Sequence, residues 1–293
     1  MNNIKYKLKK EAKIMLSKYN NKRYSEILYE GAFHKKIDWK NPTDFNEKLM
    51  YLKVFNYNNN PTVWACADKY QVRLYALNHG IKEKHLPELI GVYDNAKEIK
   101  EEKLPDKFVI KCTHGYGFNI ICTDKKEFDI KKARRKLNKW QKTKFGYETG
   151  EVHYTHVKPK IIIEKFIEGN NGYPFDYKLY CFYGKPMLVL VCSEREEKLK
   201  LNFYDLKWNE LMIGKEEYRN HKEIKAPRYL KDMIGIAKRV SKEFPFVRID
   251  FYESNGKAIM GEMTFTPAAC MASYYNETGN KYLSNLLDLS VIK

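Results

Sequence analysis

Ile4, Leu8, Ala12, Met15 and Tyr19 recur three or four positions apart with lysines between them, the spacing of an amphipathic helix. Such a helix is expected either to dock on the body of the protein or to lie on an anionic membrane surface. Asn41-Pro42-Thr43-Asp44 breaks the chain, and Thr43, with Asn46-Glu47 behind it, is placed to cap a helix through EKLMYLKVF. After the polar YNNNP loop, residues 63–78 read as one further helix, closed by Gly80. From Phe108 the period shortens. FVIKC and FNIIC are short β-rich runs separated by THGYG, and EFDIKKARRKLNKWQ follows as a basic helix. IIIEKFI reads as a buried strand, DYKLYCFYG and PMLVLVC as a hairpin through Gly184-Lys185-Pro186, and LNFYDLKW as another strand. Leu230, Met233, Ile234, Ala237, Val240 and Phe244 form a helical stripe, after which FVRIDFY and KAIMGEMTF pair across Glu253-Ser254-Asn255-Gly256. Helices followed by strands joined in antiparallel hairpins predict an α+β fold.

Composition narrows the class. The 293 residues suffice for two lobes, and no uncharged apolar run approaches the roughly 18 residues of a membrane span. MNNIKYKLKKEAKIML lacks the apolar core of a signal peptide. The six cysteines sit singly among apolar neighbours, never as CxxC, so neither a zinc ribbon nor a disulfide scaffold fits, and a cytoplasmic setting is expected. The net charge of +17 is concentrated. Residues 1–36 carry ten Lys/Arg against three Glu, and residues 125–144 carry ten against Glu127 and Asp129. Basic residues are not interleaved with aromatics across a face, so local contact with something anionic is expected and nucleic acid is not the expected partner.

The candidate chemistry lies late in the chain. Asp250 in RIDF and Glu262 in GEMTFTP are twelve apart on strands joined by a tight turn, so both carboxylates can project from one face. Two carboxylates on one wall suit magnesium, which is usually shared with substrate phosphates. Arg248, two residues before Asp250, shares that face and can stabilise charge on a transferring phosphoryl group. Lys111 ends FVIK ahead of His114-Gly115-Tyr116-Gly117, where glycines admit phosphates to the backbone and lysine adds a point charge. Asp68-Lys69, Asp176 and Lys178 complete the set of polar candidates.

In this order the pieces resemble the ATP-grasp superfamily, most closely its TupA-like branch of bacterial surface-polysaccharide synthesis, whose members are sometimes labelled glycosyltransferases. The likeness runs from Asn41 onward and begins with NPTDFNEKLMYLKVF. It implies that Lys69 and Lys111 meet phosphates, that Gly115 and Gly117 belong to the loop covering them, and that Glu164, Lys165, Phe166 and Ile167 read the adenine edge through their backbone. It further implies that Asp176 holds the ribose and Lys178 a phosphate. Arg248, Asp250 and Glu262 match the arginine and two metal carboxylates of the RxDF and ExNxxP motifs. Thr264 stands where most members have a metal-ligating asparagine, and His114 and Tyr116 make the loop bulky. His114 is expected to be satisfied by the backbone. His153 and His156 form an HxxH without further ligands, and Arg195 is a candidate for the phosphates or the acceptor.

The expectation is an ATP-grasp fold with an N-terminal helical extension (residues 1–60), a nucleotide-binding lobe (61–165) and a catalytic lobe with the metal site (166–293). The activity it implies is an ATP- and Mg-dependent carboxylate–amine ligase working through an acylphosphate. The partners it implies are an acidic glycan or lipid-linked saccharide acceptor and an amino acid or amine. Arg134, Arg135 and Lys136 of the basic helix are expected at the cleft mouth to attract a polyanionic acceptor, and the N-terminal helix to give peripheral contact with an anionic membrane. Glycosyl transfer in surface-polysaccharide synthesis is the alternative among enzymes, and a non-catalytic binding module the alternative outside them.

Overall fold

Two antiparallel sheets organise the chain, which the computed structural model describes over residues 2–168, 175–194 and 199–292, with side chains from Lys7 onward. Helices come first: α1 (Asn2–Tyr19), α2 (Asn21–Phe33), α3 (Phe45–Phe55), α4 (Pro61–Ala67) and α5 (Gln71–Asn78). The start of α3 is capped by Asp44 rather than Thr43. The Glu47 N–H donates to the Asp44 carboxylate at 2.9 Å and the Asp44 N–H donates back to Glu47 at 3.3 Å, which satisfies two end donors reciprocally. The single helix expected over 63–78 is two. Asp68 leaves the helical conformation, and its carboxylate accepts from the N–H groups of Tyr70 (2.6 Å) and Gln71 (2.8 Å), a local bond that competes with the helical ladder. Lys69 therefore sits in a break.

α1 presents the described part of its predicted stripe outward, the Ile4 side chain lying outside the described residues. Ile14 and Ser17 face the body, and Lys10 pairs with Glu148 at 2.9 Å. Leu8, Met15 and Tyr19 are 65%, 51% and 72% exposed, and Ala12 is exposed with them. At 100° per residue the two sets lie on opposite sides of the helix.

The smaller sheet contains β1 (Leu89–Tyr93), β2 (Phe108–Cys112), β3 (Asn119–Cys122) and β4 (Ile161–Lys165) in the order β1-β4-β2-β3. α6 (Ile130–Gln141) and α7 (Phe145–Thr149) lie between β3 and β4. Phe108, Ile110 and Cys112 alternate inward with Ile161 and Ile163 to form a small core closed by Leu137 of α6. Val109 and Lys111 of β2 and Ile162 and Glu164 of β4 take the other face. β1 was not expected, because all five of its residues are half-buried and show no alternation.

The larger sheet contains β5 (Asp176–Phe182), β6 (Lys185–Ser193), β7 (Lys200–Asp205), β8 (Glu210–Leu211), β9 (Phe246–Ser254) and β10 (Lys257–Thr264), in the order β10-β9-β5-β6-β7-β8. α8 (Leu230–Val240) packs on it and α9 (Glu277–Leu286) closes the chain. The β5–β6 turn falls on Tyr183 (φ 50°) and Gly184 (φ 76°), one residue earlier than expected, and the β9–β10 turn on Asn255 (φ 48°) and Gly256 (φ 73°). Two successive positive φ angles match the twist of a hairpin, and Lys185 is thereby released into β6. Phe45, Leu49, Leu52, Tyr57, Val63 and Val72 of the α3–α5 region share the main core with Leu179, Val189, Phe246 and Phe251. Each such side chain contributes about 1.5–3 kcal/mol on burial, so these helices form one packed body with the larger sheet.

Candidate active site

Strand register builds the floor of the site. Glu262 on β10 lies opposite Asp250 on β9, which lies opposite Lys178 on β5, and the next row is Thr264, Arg248 and Tyr180. Directly paired residues share one face with Cβ atoms about 5 Å apart, so the two carboxylates meet on one wall. A β-bulge at Gly261 sets this alignment, since the register shifts between Met260 and Glu262. In an unbulged register Gly261 would take the place opposite Asp250, and Glu262 would pair with Ile249 and project from the opposite face. Glycine suits the position because a Cβ there would lie 2.8 Å from the ring of Tyr252.

Asp250 is the electrostatic centre. Arg248 donates from Nε to Oδ1 at 2.7 Å and from Nη2 to Oδ2 at 2.8 Å, and Lys178 donates to Oδ2 as well. Burial works against the Asp250 charge, but Arg248 and Lys178 outweigh it and hold the carboxyl below its ordinary pKa. Burial likewise opposes the Arg248 charge, and Asp250 reverses that and raises its pKa well above the usual value. Lys178 also reaches Asp176 at 3.2 Å. Thr264 accepts from Arg248 Nη2 at 3.1 Å. Glu262 is different: its side chain is 38% exposed and its neighbours are Lys69 at 3.8 Å and Arg248 at 4.0 Å.

The smaller sheet brings Lys111 to this wall. Its Nζ donates to Glu164 Oε2 at 2.6 Å, and Arg73 lies 3.6 Å from the other oxygen. Burial disfavours the Lys111 charge, but Glu164 outweighs that and raises its pKa, with Glu262 adding to the effect. The Glu164 side chain thus serves as the counter-ion of a phosphate-lysine candidate. β4 ends at Lys165, whose N–H donates to Glu88 O at 2.9 Å, and the Phe166 N–H donates to Lys107 O at 3.4 Å before half-buried Ile167. Lys69 reaches the glycine loop, donating from Nζ to Gly115 O at 2.5 Å. A Cβ on Gly115 would strike the Phe145 ring at 2.8 Å, and Gly117 has φ +75°, so packing favours the first glycine and the backbone path the second.

The histidines take structural roles. His114 is buried with Nε2 3.1 Å from Trp140 O, His153 is buried, and His156 stacks on Trp64 at 3.6 Å. Among the described residues no group of three or more His, Cys, Asp or Glu is placed to hold a metal. The hard oxygens of Asp250, Glu262 and Thr264 fit magnesium that takes its remaining ligands from phosphate and water. Arg195 lies outside the described residues.

A cavity of about 580 Å³ opens over this wall, lined by Lys69, Lys178, Arg248 and Glu262. It also contains residues that pattern reading missed: Glu151, Tyr154, Thr266, Ala268 and Ala269. Glu151 accepts from Thr266 Oγ1 at 2.6 Å, and burial raises its pKa. Ala268, Ala269 and Cys270 run through φ +50°, +53° and +64°, a left-handed stretch that costs about 1–2 kcal/mol per residue.

A family model described as TupA-like ATPgrasp matches residues 47–288. The chain belongs to the TupA-like ATP-grasp family. The match takes in every site residue named above and begins inside α3, so α1 and α2 lie outside it. No curated protein matches the chain. Solved structures similar to this TupA-like chain include the D-alanine–D-alanine ligase of Bacillus anthracis complexed with ATP, at 15% identity and a TM-score of 0.48, covering 77% of this chain and 66% of that one. The D-cycloserine synthetase DcsG is similar at 13% identity and a TM-score of 0.44, covering 79% and 72%. The TupA-like chain therefore spans just under two thirds of the length of the Bacillus anthracis ligase. No helix among its described residues is long and apolar enough to cross a membrane.

Proposed function

We propose that the protein is an ATP- and Mg-dependent carboxylate–amine ligase that activates its acid as an acylphosphate. The observation that carries this reading is the convergence of Lys69, Lys178, Arg248 and Glu262 on one cavity, with Lys111 behind them. Asp250 and Glu262, with the Thr264 hydroxyl, would hold magnesium, which when bound neutralises phosphate charge. Lys69, Lys111 and Lys178 bind phosphates, and Arg248 faces charge that develops on the transferred group. The one thiol lining the cavity among the described residues, Cys192, is held protonated by burial, so positioning and electrostatics supply the rate without a protein nucleophile.

The basic face of α6 supports an anionic acceptor, such as an acidic sugar of a surface polysaccharide or a lipid-linked saccharide. Lys131, Lys132, Arg135, Lys136 and Lys139 are exposed, and the C-terminal end of α6 touches the glycine loop through Trp140 O. Arg134 departs from that patch, because it donates to Ala96 O and Ile99 O and holds the lobe together. The outward row Leu8, Ala12, Met15 and Tyr19, flanked by exposed Lys9 and Lys18, supports peripheral contact with the anionic inner face of a membrane. Equal flotation of wild type and a Leu8→Glu, Met15→Glu variant with anionic liposomes would remove that support.

The test of function is incubation with Mg-ATP, a panel of uronic acids and a panel of amino acids. Acid-dependent release of ADP and phosphate, abolished by EDTA, is the expected result. Release of a nucleoside diphosphate from a nucleotide sugar instead would make the protein a glycosyltransferase.

A further inference from the structure

Two carboxylates line the cavity among the described residues, Glu262 and Glu151. Glu262 belongs to the metal wall. The other acids nearby are already matched, Asp250 by Arg248 and Lys178, Asp176 by Lys178, and Glu164 by Lys111 and Arg73. The lining cations suit phosphate and the activated acid. A ligase must also admit an amine, which arrives near neutral pH as an ammonium and cannot attack a carbonyl until it has lost a proton.

We propose that Glu151 receives the ammonium of the amine co-substrate and takes its first proton, with Lys53 holding the carboxylate charge from behind. This rests on the ligase reading above. Glu151 Oε1 is fixed by the Thr266 hydroxyl at 2.6 Å, and Oε2 has no hydrogen-bond partner among the described residues. Thr266 is two residues beyond Thr264, so Glu151 stands beside the metal wall on the side of Ala268 and Ala269. Lys53 on α3 is fully buried, and its Nζ also has no hydrogen-bond partner. A Cβ on Gly150 would come within 3.6 Å of that Nζ, which places the ammonium against the residue preceding Glu151. Burial disfavours the Lys53 charge and lowers its pKa, and Glu151 is the carboxylate beside it that opposes the shift. The groups facing Glu151 are Lys53 from α3, Thr149 from α7, Thr266 and Cys270 after β10, and Tyr116 and Tyr154. Burial lifts the Glu151 pKa, with Thr266, Thr149 and Lys53 opposing, which suits a general base.

The step balances. Glu151 takes one proton from R′NH3+ and becomes neutral, and the freed amine forms the C–N bond at the acylphosphate carbonyl. The C–O bond to phosphate breaks with its electron pair on oxygen, and the second N–H proton leaves with the departing group as HPO4 2−.

Hydroxylamine separates the two halves of the reaction, since it is largely uncharged near neutral pH and attacks acylphosphates without a base. Wild type, Glu151→Gln, Glu151→Asp and Thr266→Val are assayed with Mg-ATP and the uronic acid panel, against hydroxylamine and against the amino acid panel. The ratio of amide to hydroxamate should fall about 100-fold in Glu151→Gln. It should fall less in Thr266→Val, which keeps the carboxylate but frees it, and recover in part in Glu151→Asp. An unchanged ratio in both Glu151→Gln and Thr266→Val overturns the assignment. If Glu151→Gln does not fold, Thr266→Val alone decides. No hydroxamate from wild type with any acid overturns the ligase reading itself, and this assignment with it.

Discussion

Asp250 and Glu262 face each other across one hairpin, yet removing their charges should have very unequal consequences for the folded protein. Asp250 is buried and neutralises two buried cations through bonds of 2.7 and 2.8 Å from Arg248 and a further one from Lys178. Asp250→Asn strands both cations, and breaking such a buried pair costs about 3–5 kcal/mol. Lys178 retains Asp176 at 3.2 Å, which favours the lower part of that range. With an unfolding entropy of about 0.6 kcal/mol/K for 293 residues, the melting temperature should fall by roughly 5–8 °C. Glu262 is 38% exposed and meets its cations at 3.8 and 4.0 Å, contacts worth below about 1 kcal/mol, so Glu262→Gln should melt within about 2 °C of wild type. Mg-ATP at 100 times its Kd should stabilise wild type by about 2.7 kcal/mol, and both variants should lose most of that gain and their turnover. Thermal melts of the three proteins with and without Mg-ATP measure all of this. Equal melting temperatures for the two variants, or Asp250→Asn melting with wild type, would refute the division between a buried counter-ion and an open metal ligand.

Gly261→Ala brings a Cβ within 2.8 Å of Tyr252, at a cost of about 1–3 kcal/mol, and by disturbing the bulge it should cut turnover more than stability. A wild-type Mg-ATP thermal shift in that variant would show that the bulge does not aim Glu262. His153 has its pKa pushed down to about 3 by burial, with Lys53 and His156 adding, against about 6.5 when unfolded. Its contribution is therefore intact above pH 6.5 and is lost as the pH falls toward 3, by about 2–3 kcal/mol at pH 4.5. His153→Gln should melt with a flatter pH profile over that window, and parallel profiles would count against a neutral buried imidazole. Glu151 titrates in the opposite sense in both proteins and cancels from the comparison. Reversing Arg135, Lys136 and Lys139 to Glu should raise the KM for an acidic acceptor and leave melting within about 2 °C. Arg134→Ala should instead cost about 1–3 kcal/mol by orphaning Ala96 O and Ile99 O, and equal stability for the two variants would show that Arg134 is also a surface charge.

The legible half of the site lies on strands. Arg248 and Asp250 could be placed on one face because alternation is strict along β9, whereas Lys178 joins them through the β5–β9 pairing, which no turn in the sequence announces. Glu262 was expected on that face from the hairpin alone, and it reaches it through the Gly261 bulge, which no hydrophobic period encodes. The break at Lys69 was hidden for a similar reason. Residues 63–78 keep a helical rhythm on both sides of Asp68, and one carboxylate accepting from two N–H groups ended the helix where the rhythm continued.

The unread half shares a physical cause. Periodicity reports which face of a regular element is buried, and an apolar stripe is taken to mark the face that meets the body. α1 breaks that inference, because small Ser17 and Ile14 meet the body while the larger side chains of the stripe face away. Glu151, Lys53 and Thr266 break it from the other side, being polar groups buried where no period would place them. A chain that keeps a lysine and a glutamate in its interior, and holds Ala268, Ala269 and Cys270 in a left-handed path beside them, sustains several kcal/mol of local cost. Costs of that kind persist where the surrounding packing over-determines them, and here they border the cavity at Glu151, Thr266, Ala268 and Ala269. The part of the cleft that ordinary folding rules explain least is therefore the part where, on the proposed ligase reading, the amine is expected to bind.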